Sequence, residues 1–173
     1  MAISAVSRRS GCRTWAALAG FTAITALSIA PDFYLGLYDR LTGSWATEWT
    51  PRGILALAAA KLGAARVTGT DIDPHAMDAA RYNAERNGAT LELLHSRENI
   101  DHTADVVVAN ILANPLTVLA PLLCGLTRSG GRIALSGILA AQTDMVRAAY
   151  RPAFELEVAG EREGWVLLTG TRV

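Results

Sequence analysis

From residue 53 onward the hydrophobic positions switch between a helical period and short apolar runs. Over residues 53–62, Ile54, Leu55, Ala58 and Leu62 share one helical face, and Gly63 follows as a stop. Residues 66–70 read as a strand ending in Asp71. Asp73 and Pro74 form an N-cap and first-turn pair for a helix reaching Asn87 and closed by Gly88, with Met77, Ala80 and Ala84 as its buried stripe. Residues 91–94 form a short strand. Residues 105–109 form another, whose Val106-Val107-Val108 run suits a strand buried on both faces. Asn114 and Pro115 open a helix with Leu116, Leu119, Leu123 and Leu126 on one side. Ser129-Gly130-Gly131 reads as a turn, residues 132–136 as a strand and 142–150 as a helix. Residues 154–158 and 165–169 read as two strands around the turn Glu161-Arg162-Glu163-Gly164.

Strand and helix in alternation predict an α/β fold, a doubly wound and mostly parallel sheet. Two successive strands at the end predict a C-terminal antiparallel hairpin, which a plain dinucleotide-binding fold lacks. The chain before this pattern is different. Residues 1–43 carry Arg8, Arg9 and Arg13, then an apolar run over residues 15–30. That run suits an Ala-rich helix, a secretory signal or a short membrane anchor. The division is therefore an N-terminal segment, 1–43, and a second domain, 44–173, whose first strand and Gly-rich loop are degenerate.

Charge narrows the partners. Lys plus Arg equals Asp plus Glu at 16 each, so there is no bulk basic footprint for nucleic acid. Cys12 and Cys124 are far apart and form no C-x-x-C pair, which fits a reducing compartment. His75, His95 and His102 sit at no metal-ligand spacing, and no metal is expected.

In sheets of this kind ligands lie at the carboxyl ends of the strands, near the switch point. Asp71 stands at such an end. A carboxylate there can accept from both ribose hydroxyls of an adenosine cofactor, with each charge-assisted bond worth about 1.5–3 kcal/mol. Its other reading, a helix-flanking acid, is weakened because Asp73 already fills the cap role. Asn110 ends the Val-rich strand on the same rim, where its amide can accept from a substrate amine or bond a cofactor's amino acid end. Alone it would read as a turn residue. Gly53 opens the first helix, where nucleotide folds place a Gly-rich turn. The residues before it, Trp49-Thr50-Pro51-Arg52, hold no G-x-G.

Six stretches resemble the PrmA family, the bacterial methyltransferases of large-subunit ribosomal protein L-eleven. They run from Gly53 through Ala64, over Asp71-Ile72-Asp73-Pro74, Asn83-Ala84-Glu85-Arg86-Asn87-Gly88 and residues 107–113, then over Leu135-Ser136-Gly137-Ile138-Leu139 and Glu163-Gly164-Trp165. The resemblance implies a Rossmann-like, class I S-adenosylmethionine-dependent methyltransferase acting on amines of that ribosomal protein in the cytoplasm. It implies Asp71 as the ribose ligand, Asn110 as the rim asparagine and Gly53 as the last glycine of the cofactor loop, and it assigns no catalytic base. Three departures stand out. The family's Asp-x-Gly-Cys-Gly-Ser-Gly loop keeps only Gly53. The upstream Gly-Thr-Gly-Thr-His segment has no counterpart. The small N-terminal domain that grips the ribosomal protein is also missing. One explanation for residues 1–52, which match nothing in the family, is a shifted reading frame upstream of Gly53. The competing expectations are a non-catalytic remnant of such an enzyme and a protein anchored through residues 15–30.

Overall fold

The computed structural model describes residues 2–7 and 53–173. Strand β1 (Ala2–Ser7) is followed by α1 (Ile54–Lys61), β2 (Arg66–Asp71), α2 (Pro74–Arg86), β3 (Glu92–His95) and β4 (Ala104–Asn110). Then come α3 (Ala113–Val118), α4 (Ala120–Leu126), β5 (Thr127–Leu139), a 3-10 turn (Ala140–Gln142), α5 (Thr143–Tyr150), β6 (Glu157–Arg162) and β7 (Trp165–Thr171). One seven-stranded sheet has the order β3-β2-β1-β4-β5-β7-β6. The pairs β2–β3 and β4–β5 are parallel, while β7 is antiparallel to both β5 and β6. Five of the seven strands, β2 to β6, run the same way and the chain closes on an antiparallel hairpin, as the sequence predicts, while β1 and β7 oppose their neighbours.

The Val-rich strand shows why the sheet is covered on both faces. Side chains alternate across a strand, so Val107 and Ala109 enter one core with Leu116, Leu123, Val146 and Tyr150 of α3, α4 and α5. Val106 and Val108 enter a second core with Ile54, Leu55, Ala58 and Ala59 of α1. Val107, Val108 and Ala109 are fully buried. Burying such a side chain is worth about 1.5–3 kcal/mol, so β4 anchors both layers. Tyr150 donates its buried hydroxyl to the Leu116 carbonyl at 3.0 Å, tying α5 to α3. Burial pushes this phenol well above its usual pKa.

The structure departs from the sequence pattern in four places. The helix expected from residue 114 to 126 is two helices, α3 and α4, meeting at Leu119. Pro121 is the cause, since it has no N–H to donate and its ring crowds the preceding turn. The apolar face survives the break, with Leu116 and Leu123 fully buried. Ser129-Gly130-Gly131 is not a turn between elements but lies inside the long strand β5. There the pairing with β4 slips from Ala104↔Thr127 to Val106↔Arg132, and Gly130 absorbs the bulge with φ 67°. The first hairpin strand is β6, starting at Glu157 rather than 154, with Phe154 making only an isolated bridge to Arg172. The turn that joins β6 and β7 has just two central residues, Glu163 and Gly164, with φ 52° and 80°.

The fourth departure is β1. The sequence pattern placed no strand there, yet Ala2–Ser7 fills the middle of the sheet and runs antiparallel to both β2 and β4. Register runs Ile3↔Thr70 to Ser7↔Arg66 on one side and Ala2↔Asn110 to Val6↔Val106 on the other. The apolar run over residues 15–30 and the expected domain boundary at residue 44 lie outside the described residues.

Two stability changes follow. Tyr150→Phe leaves the Leu116 carbonyl without its buried donor and should lower unfolding free energy by about 1–3 kcal/mol in urea titration. Glu163→Asn should raise it by about 0.4–1 kcal/mol, because two left-handed residues define a type I′ turn and asparagine tolerates that conformation better than glutamate. An unchanged urea midpoint for Glu163→Asn would mean that the turn stores no strain.

Candidate functional site

The carboxyl ends of β2 and β4 carry Asp71 and Asn110, the two polar residues that the sequence points to. Asp71 ends β2 and is 6% exposed. Its Oδ1 accepts from the Asp73 N–H at 3.0 Å, and its carbonyl accepts from Ser96 N–H at 3.1 Å. Asp73 instead caps α2, its own Oδ1 accepting from the His75 N–H at 2.9 Å. The two acids thus divide the work as their spacing suggests. One caps the helix, and the other holds a carboxylate at the strand end. A carboxylate has about four acceptor positions and can serve more than one donor at once.

Asp71 and Thr70 line a cleft of about 280 Å³ together with Ser96, Arg97, Glu98, Asn99 and Ile100 after β3 and Leu119, Leu122 and Leu126 of the α3–α4 corner. The 96–100 loop is shaped by its own charges. Glu98 accepts from His95 N–H at 2.6 Å and donates its own N–H to the His95 carbonyl at 2.8 Å. Arg97 N–H points to His95 Nδ1 at 3.2 Å. Sequence reasoning missed this wall, because a polar loop after a short strand carries no periodic signal. The kink at Leu119 is what brings leucines of α4 to face it. A cleft this size lies at the lower edge of ordinary ligand pockets, about 300–1,000 Å³, and suits a nucleoside better than a larger ligand.

Asn110 and Gly53 are not among the residues lining that cleft. Asn110 ends β4, paired with Ser136 on β5 and Ala2 on β1. Ala2 is one step beyond Ile3, the partner of Thr70, so Asp71 and Asn110 stand level across β1. Two strand spacings, about 10 Å, separate their backbones. Gly137 closes this part of the rim with φ 86°. A Cβ there would meet the Ile111 carbonyl at 2.4 Å and Asn110 Oδ1 at 3.2 Å. Its role was readable in the sequence only as part of a motif.

Gly53 sits at the start of α1 with φ 81°, and a Cβ on it would lie 2.5 Å from the Ala80 Cβ of α2. Its bareness lets two helices meet, which is a packing requirement whatever else it does. Among the described residues no group of acidic, histidine or cysteine side chains could hold a metal. His102 instead faces Thr68 Oγ1 at 3.2 Å and Asp101 Oδ1 at 3.2 Å, in a polar network that Thr68 extends to Glu92 at 2.7 Å. Arg66 holds the Glu92 carboxyl below its usual range. Cys124 is half-buried, its thiol pushed up by burial. Cys12 lies outside the described residues.

Comparison with known proteins bears on the family and the fold. The family model for ribosomal protein L11 methyltransferase (PrmA) matches residues 50–173. The ribosomal protein L11 methyltransferase of Dechloromonas aromatica is 55% identical over 120 residues, covering 69% of this chain and 40% of the relative. That of Edwardsiella ictaluri is 58% identical over 121 residues, covering 68% and 41%. The chain thus spans about two-fifths of the length of these curated relatives. The crystal structure of ribosomal protein L11 methylase from Lactobacillus delbrueckii subsp. bulgaricus superposes with a TM-score of 0.64 at 34% identity, covering 70% of this chain and 65% of that one. The N-methyltransferase NodS from Bradyrhizobium japonicum WM9 shares the fold at a TM-score of 0.52 and 13% identity, covering 70% and 80%. The sheet order and the closing hairpin are those of the class I S-adenosylmethionine-dependent methyltransferase fold, and the chain belongs to the ribosomal protein L11 methyltransferase (PrmA) family.

Proposed function

We propose that the chain binds S-adenosylmethionine through its adenosine half and descends from an enzyme that methylates amines of ribosomal protein L11. The observation that carries this reading is that the buried Asp71, at the carboxyl end of β2, lines the cleft bounded by the 96–100 loop. Asp71 accepts from the ribose hydroxyls, while Ile100, Leu119 and Leu122 enclose the base. Asn110 offers its amide to the amino acid end of the donor or to the acceptor amine. When bound, the donor supplies a methyl group on a sulfonium, and the protein's share is positioning along the line of displacement. An acceptor lysine, with an unperturbed pKa of about 10.4, must first lose a proton. No residue is assigned as its base. The compartment implied is the cytoplasm. No helix among the described residues is long and apolar enough to cross a membrane.

One observation favours the second reading, a remnant that no longer catalyses. In β1 the chain runs from the rim downward, with Ala2 level with Asp71 and Asn110. Its carboxyl end, Ser7, is therefore at the opposite edge, beside Arg66. A strand in this direction cannot lead into a Gly-rich turn at the rim. The backbone N–H groups of such a turn would face the donor's amino acid end. Losing two bonds to a charged group, at about 1.5–3 kcal/mol each, weakens binding about a hundredfold or more.

Calorimetric titration with S-adenosylhomocysteine tests both readings. The wild type should bind with a Kd above about 100 μM, given that loss from ordinary micromolar affinity, and Asp71→Ala should weaken it at least about tenfold. Micromolar affinity in the wild type would show that the Gly-rich turn is dispensable. Weak binding that Asp71→Ala leaves unchanged would remove Asp71 as ribose ligand. Gly53→Ala should lower stability by about 1–3 kcal/mol through overpacking against Ala80. A stable Gly53→Ala protein with altered affinity would instead give Gly53 a direct cofactor role.

A further inference from the structure

β1 is joined to the rest of the sheet by a longer stretch of chain than any other described strand. The parallel neighbours β2–β3 and β4–β5 are joined by short connections through helices. Residues 8–52 separate β1 from Gly53 in sequence, and β1 opposes the direction of both its neighbours. Ala2–Ser7 nonetheless pairs along its length on both sides. The slot is made by main-chain donors and acceptors of two strands that run the same way. An extended segment of either direction can satisfy them. The slot cannot stand empty. Thr68 of β2 and Val107, Val108 and Ala109 of β4 are fully buried, and unpaired backbone groups there would each cost about 1–3 kcal/mol. The segment seated in it, Ala-Ile-Ser-Ala-Val-Ser, has no proline and consists of small or branched residues.

We propose that the slot between β2 and β4 is a strand-binding site, filled by Ala2–Ser7 and open to the same segment from a second copy of the chain. Main-chain pairing supplies the affinity, as in recognition by strand addition. The choice of occupant follows from the one sequence seen to fit the slot in register. Only residues 8–52 tie this strand to the rest. Pairing within one chain is favoured at low concentration, because it needs no encounter with a second molecule. At micromolar chain the protein's own strand occupies the slot. Near millimolar, copies exchange strands and dimerise, a low-cost route to association. This inference does not depend on whether the cleft beside Asp71 binds a nucleoside.

The test uses the full chain and a synthetic peptide, Ala-Ile-Ser-Ala-Val-Ser, carrying a photo-crosslinking group after its last residue. Ala5→Pro in the full chain removes a donor from the middle of the strand, a position that proline does not occupy in central strands. Amides of residues 66–71 and 104–110 in this variant should exchange with deuterium at least about tenfold faster than in the wild type. Millimolar peptide should restore their protection, and the same peptide with proline as its fourth residue should not. If the variant does not fold, the wild type is irradiated with the peptide at millimolar concentration, and crosslinks should map to residues 66–71 or 104–110. Either positive result supports the proposal. Failure of both overturns it, as do crosslinks that fall outside these two strands.

Discussion

Everything in this molecule depends on satisfying the backbone at the centre of its sheet. β2 and β4 run the same way about 10 Å apart, two strand spacings, with helices over both faces. Their inward-facing N–H and C=O groups have no access to water. A third strand must lie between them, or several buried groups go unpaired. The fold takes that strand from Ala2–Ser7, at the far amino-terminal end of the described chain. Direction is the freedom it has to use. Antiparallel pairing satisfies the same donors and acceptors as parallel pairing, with bonds at least as good.

That choice reaches the site. In a parallel arrangement the central strand would rise to the rim and turn there into the first helix, bringing backbone N–H groups to a ligand. Here the strand begins at the rim, with Ala2 between the levels of Asp71 and Asn110. The cleft beside Asp71 is lined by β2, the 96–100 loop and the α3–α4 corner and by no residue of β1. A turn at the rim would have to come from a strand running the other way. Gly53, at the start of α1, is kept bare by the contact with Ala80. The cleft and the central strand therefore rest on different elements.

Much of the fold was legible along the chain. The triple valine named the doubly buried strand, and alternation sorted its side chains between two cores. The Asp73-Pro74 pair marked the start of α2, and Asp73 proved to be the cap. That in turn made Asp71 the acid to watch. Other features were less legible. Pro121 broke a helix whose apolar period continued unbroken across it, because periodicity records which face is buried and not whether the axis is straight. The wall of residues 96–100 was invisible for a different reason. Its shape comes from Glu98 and His95 bonding within the loop, and its importance from standing opposite leucines some twenty residues later.

The sequence by itself determined the α/β class, the hairpin at the end, the acid at the rim and the family, because each is written in local spacing or in contiguous motifs. Only the tertiary structure decided which segment fills the middle of the sheet and in which direction it runs. Ala-Ile-Ser-Ala-Val-Ser carries no mark of a central strand. Its place is set by the hydrogen-bonding demand of β2 and β4, two strands more than fifty residues away. Local residue pattern fixes the period of an element. The pairing of backbone groups across the sheet fixes its neighbour, and here that pairing was satisfied from the other end of the chain.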